Sequence, residues 1–260
     1  MKKYMPSSEE ERKFLESYDA SIYEKPGFAA DGALFAIDFE EKCLKLLLIK
    51  RGGFPYKGCF ALPGGFVNID EDILTAVKRE LLEETGIEDI ELKQYHTFGA
   101  PDRDPRSRVI TTSFVGLTDI KKVNARAGDD AAVVEWVKVS DYNRLVAWEG
   151  STYIINRSIT LKGSEILTPS VETRETLKKG GVSATTKIVS SGGLAFDHAL
   201  SVILAYEALI EELKKGFIVS GAILEDINKA ENVYNIIAVD KNKECIESIK
   251  EHLKNFRKKG

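Results

Sequence analysis

Apolar and polar positions alternate over Ala29–Phe39, and Cys43–Ile49 is apolar apart from Lys45. Both patterns predict strands, with Glu40, Glu41 and Lys42 turning between them. Phe60–Leu62 and Phe66–Val67 read as short strands flanking Pro63, Gly64 and Gly65, which predict a tight turn with unusual backbone angles. The period then changes. Ile73, Leu74, Val77 and Leu81 recur at helical spacing and predict a helix over Glu71–Thr85 with that face on the sheet. Asn68 followed by Glu71 has the spacing of a capping box, and Gly86 stands where a helix stops. Ile90–Phe98, Val109–Leu117 and Val133–Val139 again read as strands. Strands crowding round one helix fit a mixed α+β sandwich better than a βαβ repeat.

The flanks differ in character. Residues 1–20 hold a short charged helix over 7–18, capped by Ser7 or Ser8. Residues 21–149 form the main domain. Residues 150–193, rich in Ser, Thr, Gly and Lys, read as an inserted hairpin with connectors. Residues 194–260 form a C-terminal helical region, strongest at Phe196–Lys215 and continued by Glu225–Asn235 and Lys243–Lys259.

A formal charge of −4 gives little general attraction to nucleic acid or anionic membrane. Cys43, Cys59 and Cys245 are odd in number and lack CxxC spacing, so free thiols in a reducing cytoplasm are expected. No apolar stretch follows the amino terminus as in a signal peptide. The longest apolar run, Ala199–Ile210, contains Glu207 and is too short to span a membrane.

The helix over 71–85 carries the candidate chemistry. Glu80, Glu83 and Glu84 share an arc beside its apolar face, and like charges four apart weaken a helix. Arg79 can reach Glu83 but cannot neutralise all three. Hard carboxylate oxygens at this density suit Mg²⁺ or Mn²⁺, and Gly64 and Gly65 leave backbone carbonyls accessible to such an ion. A glutamate-rich face is usually a solvated face; here the wider spacing decides. Gly65, five residues, Glu71, seven residues, Arg79-Glu80-Leu81, one residue, Glu83-Glu84, one residue and Gly86-Ile87 together match the Nudix box. The chain therefore resembles the Nudix hydrolases. That resemblance implies an α/β/α sandwich with a mixed sheet, here followed by the C-terminal helical segment. It implies Glu80, Glu83 and Glu84 as metal ligands and catalytic carboxylates, with the Gly64 carbonyl as a further ligand. Glu71 and Arg79 would support them. The implied reaction is metal-dependent hydrolysis of a nucleoside diphosphate linked to another group.

Tyr18–Pro26, Phe98–Ile110, Ala127–Ala131 and Leu194–His198 resemble the branch holding ADP-ribose pyrophosphatases and the Nudix regulators of NAD metabolism. ADP-ribose, cut to AMP and ribose 5-phosphate, is then the expected substrate, and a homodimer the expected assembly. Arg103, Arg106 and Arg108 lie on one loop and have the fork geometry that grips phosphates, with Arg51 as a further candidate. Phe98, with Phe54 and Tyr56, can stack on a base. Glu135, Asp129 and Asp130 are candidates for the general base; similar sequences often have a glutamate where Val133 stands, so metal activation assisted by Glu84 or Glu83 stays open beside them. His96 and His198 read as structural, Asp197-His198 as a helix start. The rival function is a DNA-binding regulator that senses ADP-ribose. It needs a winged helix-turn-helix, which the basic end Lys254–Gly260 resembles only superficially, so nucleic acid is not the expected partner.

Overall fold

A computed structural model of the chain describes residues 4–128 and 131–214. Cys245, the basic carboxy terminus, the two helices expected beyond residue 215, and Asp129 and Asp130 lie outside them. Helix α1 (Glu9–Ser17) is capped by Ser8, whose hydroxyl accepts from Glu11 N, and buries no residue.

Among the described residues eleven strands form one mixed sheet; eight follow the order β11-β10-β8-β7-β2-β1-β6-β5, and β3, β4 and β9 pair with β2, β1 and β8 off that path. They are β1 (Gly27–Asp38), β2 (Cys43–Arg51), β3 (Phe60–Ala61), β4 (Gly64–Phe66), β5 (Lys93–Phe98), β6 (Val109–Asp119), β7 (Ala131–Glu149), β8 (Thr152–Lys162), β9 (Ile166–Leu167), β10 (Ser170–Lys178) and β11 (Gly181–Ser190). β1 and β6 run parallel. β2 pairs antiparallel with the second half of β1, and β4 pairs antiparallel with its first half. β7 is longer than the strand expected over Val133–Val139. Its first part pairs with β2 as far as Lys138, and from Lys138 to Glu149 it pairs antiparallel with β8, with a bulge between Val139 and Asp141. β8, β10 and β11 then continue the sheet as an arm.

Strand alternation sorts the core by parity. Phe35, Ile37, Leu46, Leu48, Val115, Leu117 and Val137 face α3 (His198–Lys214), packing with Val202, Ile203, Tyr206, Leu209 and Leu213. Leu34 and Leu47 face the other way, onto Leu81 of α2 (Ile73–Thr85) and Ile87. One helix on each face of a mixed sheet is the α+β sandwich that the sequence implied. Strands β11 and β5 stand at opposite ends of the hydrogen-bonded order, yet both contact α3. The twisted sheet wraps round that helix.

Candidate active site

Helix α2 starts two residues later than its periodicity suggested. Asp72 is the N-cap and accepts from Leu74 N at 2.9 Å. Asn68 and Glu71 still pair: the Glu71 carboxylate accepts from Asn68 N at 2.7 Å, just ahead of the helix. Leu74, expected on the apolar face, is instead 38% exposed; Ala76, Val77, Leu81 and Thr85 are the residues α2 buries. Gly86 ends the helix as expected, at φ 69°, where its N–H reaches the Leu82 carbonyl at 2.8 Å.

Gly64 and Gly65 also differ from expectation. They are extended residues of β4 paired with Asp31 and Ala30, not the positive-φ turn that their neighbours suggested. They are glycines for lack of space. A Cβ on Gly64 would come within 2.5 Å of the Ala30 carbonyl and Asp31 Oδ1, and one on Gly65 would overlap the Glu80 carboxylate. That close approach brings α2's acidic arc against the β4 backbone. Gly64 N donates to Glu84 Oε2 at 2.9 Å.

Arg79 organises the arc. Its guanidinium donates to Glu71 Oε1 at 2.7 Å, Glu80 Oε1 at 2.7 Å, Glu83 Oε2 at 3.0 Å and the Phe66 carbonyl at 3.0 Å. Arg79, helped by the Asn68 N–H, holds the Glu71 carboxyl down at about 2. Burial raises the Glu80 carboxyl, partly offset by Arg79. Burial pushes Glu84 up to about 8 against the bond from Gly64, with Glu80 and Asp31 adding repulsion. The donors are all hard oxygens, and the glycine cradle leaves Glu80 and Glu84 room that no side chain fills, so the residues fit a divalent cation by chemistry. Arg79, the nearest cation, draws Glu80 and Glu83 to itself, and among the described residues no three ligand-type side chains converge on one point.

Next to this arc lies a cleft lined by Asp31, Arg51, Gly64, Gly65, Arg106 and Phe196. Arg51 donates to the Pro55 carbonyl at 2.9 Å, and its guanidinium lies 4.8 Å from the Phe196 ring centroid. Arg106 lies 5.5 Å from the same ring on Phe196 and is tied to Asp104 at 2.8 Å. Burial and the nearby Arg106 lower the Arg51 guanidinium, while Glu84 counters them. Among the described residues Arg108 donates to the main-chain carbonyls of Ala100 and Val109. Arg103 differs from the expected phosphate clamp. Its side chain is 6% exposed and forked onto Asp197 at 2.6 and 2.8 Å, so its donors brace the start of α3.

Glu135 is also displaced from its expected role. It shares strand parity with Val137, on the face opposite α2, and its carboxylate binds Ser164 Oγ at 2.6 Å and Ser164 N. A one-residue offset on a strand reverses the face. Phe98 is buried and meets His96 edge-on at 4.6 Å, whereas Phe54 is 85% exposed. His198 is structural: its Nδ1 accepts from Leu62 N at 2.9 Å, and burial lowers its pKa. Cys43 and Cys59 are free thiols. Sequence reasoning missed Asp31, buried in β1 with Thr111 Oγ1 at 3.0 Å, and Phe196. The available signals were a carboxylate inside an apolar strand, and the aromatic within Leu194–His198.

The family described as NUDIX domain matches residues 29–157. The chain is 42% identical over 124 residues to the ADP-ribose pyrophosphatase of Methanocaldococcus jannaschii, a match covering 48% of this chain and 69% of that protein. It is 38% identical over 113 residues to the ADPR responsive transcriptional repressor NtrR of Acinetobacter baylyi, covering 43% of this chain and 44% of that one. A MutT/nudix family protein from Enterococcus faecalis superposes with a TM-score of 0.63 at 26% identity, over 95% of this chain and 94% of its own. Among the described residues no helix is long and apolar enough to cross a membrane.

Proposed function

The chain belongs to the Nudix family, and from that membership we propose that it hydrolyses the diphosphate of ADP-ribose, giving AMP and ribose 5-phosphate. The observation that carries the reading is the acidic arc of α2 pressed on the β4 glycines beside a cleft that holds Arg51 and Arg106. The 42% identity to an ADP-ribose pyrophosphatase supports the choice of substrate.

Glu80, Glu83 and Glu84, with the Gly64 carbonyl, are the residues that would hold Mg²⁺ or Mn²⁺. When bound, the ion supplies charge neutralisation and a water of lowered pKa. The chain's own groups supply the rest. Arg51 and Arg106 face the cleft as phosphate donors, and fixed guanidinium charge is worth most where charge develops on phosphoryl oxygens. Arg79 and Glu71 set the helix carboxylates in place. Glu84, desolvated against Gly64, is the carboxylate assigned to the attacking water's proton.

Purified chain with Mg²⁺ should release AMP and ribose 5-phosphate from ADP-ribose, read by product chromatography. No turnover of any nucleoside diphosphate compound with Mg²⁺ or Mn²⁺ ends the reading. The working form proposed is a homodimer in the cytoplasm; sedimentation of the purified chain tests the dimer.

The 38% identity to a repressor favours a second reading, ligand-released DNA binding. It requires a salt-sensitive gel shift reversed by ADP-ribose; no shift at low salt eliminates it.

A further inference from the structure

A second cavity, about 500 Å³, opens beside the arginine cleft and shares Arg103 and Phe196 with it. Its volume lies within the range of small-molecule sites. One wall is Tyr56 and Phe196, whose rings meet at 4.7 Å. A second includes Phe98, from the end of β5. The third comes from the arm: Thr186 and Ile188 of β11, the strand farthest from β5 in the sheet order. The wrapping of the sheet round α3 brings those two edges to one cavity.

Two features set this cavity apart from a packing gap. Tyr56 and Phe196 both hold positive φ, 61° and 49°, in the left-handed region that bulky residues avoid. Two touching aromatics in that conformation, both lining one cavity, mark a ligand site more readily than a core. The charged lining also differs. Arg51 and Arg106 stand in the cleft, whereas the second cavity sets Asp102 and the mutually paired Arg103 and Asp197 beside the aromatic and aliphatic surface of Tyr56, Phe98, Ile188 and Phe196. An ionised carboxylate only accepts hydrogen bonds, so it favours a ligand edge bearing N–H groups.

We propose that this cavity receives the nucleobase of the substrate and that the arm strand β11, through Ile188 and Thr186, forms the wall that makes the site selective for a base-bearing diphosphate. The base stacks on Phe196 and Tyr56, its amino edge faces Asp102, and the diphosphate extends past Arg103 into the arginine cleft. The inference rests on the hydrolase reading for its substrate. It adds a role for residues 181–190, which lie beyond the family match at 29–157.

Calorimetry on the full chain tests it without turnover, using AMP as the base-bearing probe and ribose 5-phosphate as the base-free one. Ile188 is 37% exposed on an edge strand, so Ile188→Trp fills the cavity without touching the core. Wild type should bind AMP more tightly than ribose 5-phosphate. Ile188→Trp should weaken AMP roughly tenfold or more, the scale of a lost base–aromatic contact, and leave ribose 5-phosphate within about twofold. Phe196→Leu should weaken AMP in the same direction. Equal affinity of wild type for the two probes, or equal weakening of both by Ile188→Trp, overturns the proposal. Selective AMP binding without hydrolysis of ADP-ribose overturns the catalytic reading instead and leaves the base pocket standing.

Discussion

Helices α2 and α3 cover opposite faces of one sheet and are built to different ends. α3 buries Ala199, Val202, Ile203, Ala205, Tyr206, Leu209 and Leu213. α2 buries only Ala76, Val77, Leu81 and Thr85, and gives its remaining arc to Glu80, Glu83 and Glu84. Each fully buried aliphatic side chain contributes about 1.5–3 kcal/mol, so α3 is the stronger anchor. α2 depends more on Arg79, whose guanidinium bridges the helix to Glu71 and to the Phe66 carbonyl of β4. Stability and chemistry are separated by the sheet: one helix can be crowded with carboxylates because the other secures the fold.

The largest effect is expected from Glu84→Gln. Its kcat should fall by about 10²–10³-fold, the scale for losing one charge-bearing group of a preorganised site. With chelator present its melting temperature should not drop below wild type, since a neutral amide replaces a carboxyl that burial already drives toward its protonated form. A rate within tenfold of wild type would mean the arc is not the catalytic centre.

Leu209→Ala, on the other face, should cost about 2–5 kcal/mol in denaturant melts, as for a fully buried leucine. Its kcat per folded molecule should stay within about twofold of wild type. A specific loss of rate would show that the two faces are coupled.

Arg79→Lys comes next. Lysine keeps the charge but not the fork that meets Glu71, Glu80 and Glu83 together. The Mg²⁺ concentration for half-maximal activity should rise about 10–100-fold, the scale for outer supports of metal ligands. An unchanged Mg²⁺ curve would remove Arg79 as a positioning residue.

The smallest expected effect concerns pH. Burial lowers the His198 pKa below 6.5, and neutral Nδ1 accepts from Leu62 N. Below pH 6.5 the unfolded chain takes up this proton and the folded chain does not. The contribution of His198 to stability is therefore complete above pH 6.5 and declines as pH falls toward the folded pKa. An NMR pH titration of the imidazole nitrogens should place the His198 midpoint below 6.5; a midpoint at or above 6.5 contradicts the structure.

Local rules made much of this legible. The Gly86 stop needs only a left-handed cap, and the strands of the central sheet announce themselves by period. The spacing of Arg79, Glu80, Glu83 and Glu84 needs only a helix to become one surface. Distant partners were not legible. Arg103 looked like a phosphate ligand because Asp197, 94 residues away, is not visible as its partner along the chain. Glu135 looked like a base because position near a site says nothing about which face of a strand it occupies.

The glycines before α2 divide the two kinds of knowledge. Residue order alone determined that Gly64, Gly65 and the acidic helix belong to one unit, because the relevant geometry is local and periodic. Only the tertiary structure decided that the glycines serve close packing rather than a turn, since their neighbours Asp31 and Glu80 arrive from other elements. It likewise decided that the arm strand β11 meets β5 at one cavity, because sheet curvature sums over every strand between them and no single segment encodes it.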